Sequence, residues 1–492
     1  MTERPLWTTE AMTAAMHARG EGRLPPAVTG LSIDSRTIEK GDAFFAIAGE
    51  AHDGHAFVEA ALAAGAGLAV VAARQRDSLS VPADAPLLVV DDVLASLGDL
   101  ARAARARMQA KVIAVTGSVG KTGTKEALRL ALSADGPTHA SVASYNNHWG
   151  VPLSLARCPQ DARFAIFEIG MNHAGEIIPL TKLVRPHIAI VTTIEPVHLE
   201  FFESIAAIAD AKAEIFEGLE PGGVAVLNRD NEQFARLRDH AQAKGARVVS
   251  FGADDAADAR LIKCVLQPNL SIVQANILGH EVAYKLGAPG RHVVVNSLAV
   301  LAATALAGAD LALAALALGE LAPPQGRGSR RTLYLPKGTA LLIDESFNAN
   351  PSSMRAAFAL LGQQPVVAPA RRVAVLGDML ELGAQAGAMH RALVEPLVEA
   401  GIDLVYCAGP AMRHLWEALP SARRGGYAGD AKSLEPIVLD AVQRGDAVMV
   451  KGSKGSKVSL IAASLERRYA QHNVLEKETL EENVATQAAT QG

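Results

Sequence analysis

The sequence predicts an α/β protein of three domains, and three observations lead to that reading. Short apolar runs recur along the chain with helical Ala/Leu stretches between them, the alternation that builds parallel sheets covered by helices. At 492 residues the chain exceeds what one hydrophobic core supports, so several domains are required. It is 49% apolar but only 4% aromatic, which suits layers of Ala- and Leu-rich helices on sheets.

Residues 1–108 read as a small α/β unit with strands near 43–47, 68–71 and 87–90. A helix from about Val93 to Met108 leads out of it, with its arginines read as a solvated face. From 109 to 325 the alternation repeats at larger scale. Apolar runs at 112–115, 164–167, 188–192 and 224–227 predict a doubly wound, mostly parallel sheet. Segments 261–266, 271–277 and 281–286 read as a β-meander inserted before a helical pair near 293–319. The Ala/Leu run 298–321 is long enough to span a bilayer, but Gly308-Ala309-Asp310 interrupts it. Two buried helices with Asp310 capping the second fit better. Pro323-Pro324-Gln325-Gly326-Arg327-Gly328 is a turn-rich hinge. Beyond it, in residues 326–469, strands at 339–343, 372–376, 403–407 and 446–450 alternate with helices as a Rossmann-like third domain. Residues 470–492 are polar and read as a disordered tail.

A net charge of −5 gives no general attraction to nucleic acid or to an anionic membrane, so neither is expected as a partner. The three cysteines, Cys158, Cys264 and Cys407, have neither metal-ligand spacing nor a disulfide framework. The N-terminus is acidic and polar where a signal peptide would be apolar. These features predict a soluble cytoplasmic protein.

One turn carries most of the chemistry. Thr116-Gly117-Ser118-Val119-Gly120-Lys121-Thr122 follows the apolar run 112–115 and opens into a helix, so the order is buried strand, loop, helix. Loop N–H groups and a helix N-terminus direct partial positive charge at an anion. Gly117 and Gly120 let the backbone approach closely, Lys121 reaches outer phosphates, and the Thr122 hydroxyl can ligate Mg²⁺. The pattern is one residue short of the longer form, since position 115 is Val. The loop predicts a P-loop ATPase domain at the centre of the chain, with ATP bound there.

Such a site needs acids. Glu168 ends the run 164–167, and His198 follows the run 188–192, both at carboxyl ends of strands in one predicted sheet, where ligands of open α/β sheets collect. Glu168 reads as a solvated loop residue or as a Mg²⁺ ligand. His198 reads as structural or as a second ligand. Lys212, in the helical string Asp210-Ala211-Lys212-Ala213-Glu214, reads by default as a snorkelling surface lysine. Asn146-Asn147 and Asn348-Ala349-Asn350 sit near strand ends, as turn residues or as ligand contacts.

Taken in order, these strings resemble the Mur ligases, ATP-dependent amide-forming enzymes of peptidoglycan precursor synthesis. Besides the loop, the resemblance rests on Asp34-Ser35-Arg36, Asp53-Gly54-His55, Tyr145-Asn146-Asn147-His148-Trp149-Gly150, Glu168-Ile169-Gly170-Met171-Asn172, His198-Leu199-Glu200, Asp344-Glu345-Ser346-Phe347-Asn348-Ala349-Asn350-Pro351, Gly377-Asp378-Met379 and Lys451-Gly452-Ser453. It spans about Leu31 to Ser459 and is nearest the branch of the family that adds D-alanyl-D-alanine to UDP-N-acetylmuramoyl-tripeptide.

The resemblance implies roles by position. Ser35 and Arg36 would contact the UDP end of the substrate. Lys121 would bind the β- and γ-phosphates, Thr122 and Glu168 one Mg²⁺, and His198 a second. Lys212 would be the carbamylated lysine that supports this second ion. Asn147 would meet the γ-phosphate, while Asn296, Arg327 and Asp344 would hold adenine, phosphate and ribose across the hinge. Ser453 would contact the incoming carboxylate, and Asn348 and Asn350 are further substrate candidates. Lys121, Glu168, His198 and Lys212 are thus the expected catalytic set. A monomer is expected.

Phe347 departs from the family, which more often carries Tyr there, so a hydroxyl contact is missing. The neighbouring alternative is the diamino-acid-adding ligase of the preceding step, whose Asp-Asn-Pro-Arg-like string this chain lacks. A GTPase switch would carry an Asn-Lys-x-Asp string, also absent. A non-catalytic binding protein would have no need of the four polar residues above.

Overall fold

The computed structural model describes residues 5–49, 52–197, 199–336 and 338–470. Both the predicted tail beyond 470 and His198 lie outside the described residues. Three sheets carry the architecture. The first has five strands in the spatial order Arg19–Glu21, Leu87–Val90, Leu68–Ala72, Ala43–Phe45 and Leu31–Ser32, parallel except for the first. Trp7–Thr8 and Ala27–Val28 add a small antiparallel pair beside it.

The central sheet has nine strands. Lys111–Thr116 lies inside it, third from one edge, flanked by Phe164–Glu168 on one side and Ile188–Val191 on the other, both parallel to it. Chain order reverses here, because the strands after Lys111–Thr116 go first to one side and then to the other. That reversal opens a crevice at the carboxyl ends of the strands. All three are buried along nearly their whole length, as expected of parallel strands covered on both faces. The predicted meander exists as Ala259–Leu266, Ser271–Ile277 and His280–Leu286 but is not a separate insert. Ala259 pairs in parallel with Phe251, so the hairpins extend the main sheet as an antiparallel wing. The Ala/Leu run resolves into helices Arg291–Leu306 and Leu311–Ala317, and Asp310 caps the second through bonds from Ala312 N and Leu313 N. Among the described residues no helix is long and apolar enough to cross a membrane.

The third sheet orders its six strands as Ser329–Leu335, Gly338–Glu345, Ala447–Lys451, Arg372–Gly377, Leu404–Ala408 and Arg424–Ala428. The first strand pairs antiparallel and the rest run parallel. Sequence reading missed Ser329–Leu335 and Arg424–Ala428, which are edge strands rich in Arg, Gly and Thr instead of apolar runs.

One expectation fails for two of the three residues it covers. Helix Val93–Arg107 buries Leu97, Leu100 and Ala104 against the first sheet and Ala101 against the central core, so it is shared by two domains. Arg102 stays on the solvated face beside Asp99, but Arg105 and Arg107 do not. Arg105 is buried and donates to Val184 O and Arg185 O, each at 2.7 Å, and pairs with Glu220 at 3.1 Å. Arg107 stacks on Trp7 at 3.3 Å and donates to Leu6 O. Carbonyls at the C-terminus of helix Ile177–Val184 have no intrahelical partner, and the guanidinium fork supplies one. Arg105→Ala is expected to lower stability by about 3 kcal/mol, read as a fall in the urea midpoint.

Candidate active site

The phosphate loop folds as its residue types require. Gly117 has φ +142° and Gly120 φ +89°, both in the region disfavoured for side chains. Space matters as much: a Cβ on Gly117 would lie 2.0 Å from Thr192 Oγ1, and one on Gly120 2.6 Å from Asn296 Nδ2. Thr192 holds the loop from the next strand end, donating to Val119 O at 2.6 Å. Ser118 is tied to the same segment through Ser118 N to Thr193 O at 2.8 Å and Ser118 Oγ to Glu195 O at 3.1 Å. Helix Lys121–Ser133 then begins directly, with its N-terminus at the crevice.

Register brings the acid to the loop. Glu168 pairs with Val115, the residue before Thr116, so its side chain emerges beside the first helical turn. Thr122 Oγ1 donates to Glu168 Oε2 at 2.8 Å, and Asn146 Nδ2 donates to Glu168 Oε1 at 2.7 Å. Glu168 is therefore buried and fully partnered, not a solvated loop residue. Ser144 Oγ lies 3.3 Å from Thr122 Oγ1 and accepts from Arg327 Nη2 at 3.2 Å. Oxygen donors of hydroxyl and carboxylate type at one point are the set that Mg²⁺ takes.

Two lysines share this environment. Lys121 Nζ lies back on the loop, donating to Gly117 O at 2.7 Å and Ser118 O at 3.4 Å. Burial pushes its pKa below the usual lysine value; Glu168 opposes that shift and Arg327 adds to it. Lys212 is buried, contrary to the default reading of a snorkelling lysine. Its pKa falls well below the usual value, first through burial and then through the charge of Lys121, with Glu214 opposing. Glu214 accepts from Gly175 N at 2.6 Å and Ile177 N at 3.3 Å, fixing the end of helix Ile205–Ala213 to the segment that follows Glu168.

The third sheet contributes across the hinge. Arg327 packs its guanidinium over the Phe347 ring at 3.8 Å, and its bond to Ser144 joins the two sides of the crevice. Phe347 thus serves as a stacking surface without the hydroxyl a Tyr would offer. Ser352 Oγ donates to Glu195 Oε2 at 2.5 Å, a second bridge. Asp344 is buried and accepts from Ser346 N and Ser346 Oγ at 3.0 and 2.6 Å.

Other candidates stand elsewhere or in structural roles. Asn147 Oδ1 accepts from Gly150 N at 3.0 Å at the start of helix Gly150–Ala156, while its neighbour Asn146 reaches Glu168. Asn350 caps helix Pro351–Gly362 in a reciprocal box with Ser353. Asn348 lends its carbonyl to Lys451 Nζ at 3.0 Å, and Ser453 Oγ accepts from Leu380 N at 3.0 Å. Ser35 and Arg36 follow strand Leu31–Ser32 on the first sheet. There Arg36 grips Asp34 and holds its carboxyl at about 2, chiefly through their side-chain bond. Sequence reasoning did not assign Ser144 or Thr192, and it left Asn146 open between a turn residue and a ligand contact.

Comparison with known proteins fits this layout. Family models match in order along the chain: "Mur ligase family, catalytic domain" over residues 27–105, "Mur ligase middle domain" over 115–304, and "Mur ligase, glutamate ligase domain" over 330–454. The UDP-N-acetylmuramoyl-tripeptide–D-alanyl-D-alanine ligase of Escherichia coli strain K12 is 33% identical, covering 89% of this chain and 93% of that protein. The same-named protein of Rickettsia prowazekii is 31% identical over 88% and 94%. The crystal structure of MurF from Acinetobacter baumannii superposes with a TM-score of 0.79 at 30% identity, covering 95% of this chain and all of that one. MurF from Thermotoga maritima, solved with ADP, gives 0.72 at 25%, covering 91% and 98%. A phosphate loop with its carboxylate, set between two further α/β units in this order and matched over nearly full length, places the chain in the Mur ligase family.

Proposed function

We propose that this chain joins D-alanyl-D-alanine to UDP-N-acetylmuramoyl-tripeptide, with ATP converted to ADP and phosphate, giving UDP-N-acetylmuramoyl-pentapeptide. The observation that carries this reading is the contact of Thr122 with Glu168 beside Lys121, inside a chain that matches proteins named for that reaction over nearly their whole length. The ADP in the Thermotoga maritima neighbour supports the same nucleotide here. The diamino-acid-adding enzyme of the preceding step shares the fold alone, at 18% identity and a TM-score of 0.50.

The chemistry follows from the residues. A free carboxylate is a poor acyl donor, so the tripeptide's terminal carboxylate is first phosphorylated and the dipeptide amine then displaces phosphate. Loop N–H groups, the helix N-terminus and Lys121 hold the phosphates and counter their charge. Thr122 and Glu168 would hold Mg²⁺, which when bound offsets charge on the transferring phosphoryl group. His198 and Lys212, as its carbamate, would support a second ion. Burial favours the neutral Lys212 amine, the form that reacts with CO₂. Arg327 orients phosphate from the third domain and helps close the crevice against water, which would otherwise hydrolyse the acyl phosphate. Asn296, against Gly120, and Asp344, beside the hinge, suit adenine and ribose. Asn147 suits the γ-phosphate, and Asn348, Asn350 and Ser453 the incoming dipeptide. Ser35 and Arg36 suit the UDP end. We divide the chain at 108, 325 and 469, with one main sheet inside each division. The enzyme works as a cytoplasmic monomer. Its buried Cys158, whose thiol burial pushes up to about 12, is inert in that setting.

The test is phosphate release from ATP, with and without the UDP-linked tripeptide plus D-alanyl-D-alanine. Release that needs both acceptors, and pentapeptide formation, is expected; release with a diamino acid and the UDP-linked dipeptide instead would refute the reading. Arg327→Ala is expected to lower kcat about 100-fold and to weaken ATP binding, measured by initial rates and by nucleotide titration. Unchanged values for both would exclude the hinge role.

A further inference from the structure

Lys125 lies one helical turn beyond Lys121 and is fully buried. A buried ammonium requires acceptors for its three donors. Lys125 Nζ donates to Ser141 O at 2.6 Å and Ala143 O at 2.8 Å, and pairs with Glu126 Oε1 at 2.7 Å. The two carbonyls belong to the segment that leaves strand Thr138–Ala140 and carries Ser144 and Asn146. Ser144 reaches Thr122 and Arg327, and Asn146 reaches Glu168. Ser141 Oγ accepts from Glu168 N at 3.4 Å, so the same segment also touches the acid's backbone. Ala143 holds φ +48°, a left-handed conformation disfavoured for alanine, and Lys125 bonds that residue's own carbonyl.

We propose that Lys125 is a positioning residue for phosphoryl transfer: it pins residues 141–146 so that Asn146 and Ser144 hold Glu168, Thr122 and Arg327 in their working orientation. It acts through the segment, one helical turn beyond the loop mouth. The proposal rests on the assignment of this crevice to ATP and Mg²⁺.

Lys125→Met keeps the side chain's reach and removes every donor. In the full-length enzyme, kcat is expected to fall about 100-fold, while KM for D-alanyl-D-alanine stays unchanged. A second readout does not need turnover: the affinity of the ADP-loaded protein for Mn²⁺, followed by electron paramagnetic resonance, is expected to weaken about tenfold. Because the effect passes through Asn146, losses in Lys125→Met and Asn146→Ala are expected to combine less than additively in the double variant. Additive losses, or Mn²⁺ affinity that stays at the wild-type value, would overturn the proposal. Should Lys125→Met fail to fold, Lys125→Gln, whose two donors sit on a shorter stem that falls short of both carbonyls, carries the same measurements with smaller losses in the same directions. Wild-type protein that neither binds Mn²⁺ with ADP nor forms amide sinks the functional reading instead, so the two failures are distinguishable.

Discussion

Lys121→Ala lowers kcat/KM for amide formation about 10³-fold, roughly 4 kcal/mol of transition-state stabilisation. The size follows from where the ammonium sits. It is half-buried at the mouth of the loop, and its bonds to Gly117 O and Ser118 O show that it reaches over the loop backbone. A charge in such a partly desolvated place acts on phosphate oxygens with far less screening than a surface lysine. Fold stability should change little, since the bonds lost are to loop carbonyls at an accessible edge. Initial rates and a melting curve on the same preparation check both parts. Activity within tenfold of wild type would mean that the loop does not hold the reacting phosphates.

Lys212→Met is expected to move activity and stability in opposite directions. Activity should fall about 100-fold, the loss typical of removing a group that supports a metal site. Stability should rise. Folding pushes the Lys212 pKa well below the usual lysine value, so at neutral pH the unfolded chain binds more protons at this position than the folded one. Stability at this site is therefore fully present only above the unfolded lysine value of roughly 10.4, and declines as pH falls through the folded value. Methionine titrates nowhere and fits an apolar surround, so in CO₂-free buffer, where Lys212 is the free amine, the variant's melting midpoint should exceed that of wild type at pH 7, with the gap closing as pH rises toward 10. Wild-type activity should also rise with added bicarbonate, and the variant's should not respond. A variant that melts lower at pH 7 would contradict the origin assigned to the shift.

The residues found by sequence reading share a local signature. The phosphate loop is contiguous, and its glycines are needed for backbone reasons that a sequence displays. Asp310 as a cap, the hinge at 323–328 and the buried strands of the central sheet are likewise short-range features, written in a few neighbouring residues. Glu168 was visible because a carboxylate at a strand end is unusual beside such a loop.

What escaped has a physical reason in each case. The edge strands Ser329–Leu335 and Arg424–Ala428 face solvent on part of their length and need no apolar run. Arg105 reads as a surface residue on a helical wheel and becomes buried only because two domains close around the same helix. Asn146 and Asn147 are indistinguishable by type, and the start of helix Gly150–Ala156 decides which one turns to the carboxylate.

By itself the chain's sequence determined the α/β class, the order of three units, the phosphate loop and a candidate for its acid, since propensity, patterning and turn chemistry act over a few residues. Only the tertiary structure decided which polar groups meet. Parallel register put Glu168 on Thr122, the hinge put Arg327 on Ser144, and burial turned Lys212 from an ordinary surface cation into an amine held toward its neutral form. Contacts between distant residues and the loss of water around a charge exist only once the chain has folded, because both depend on what other segments bring to the same place.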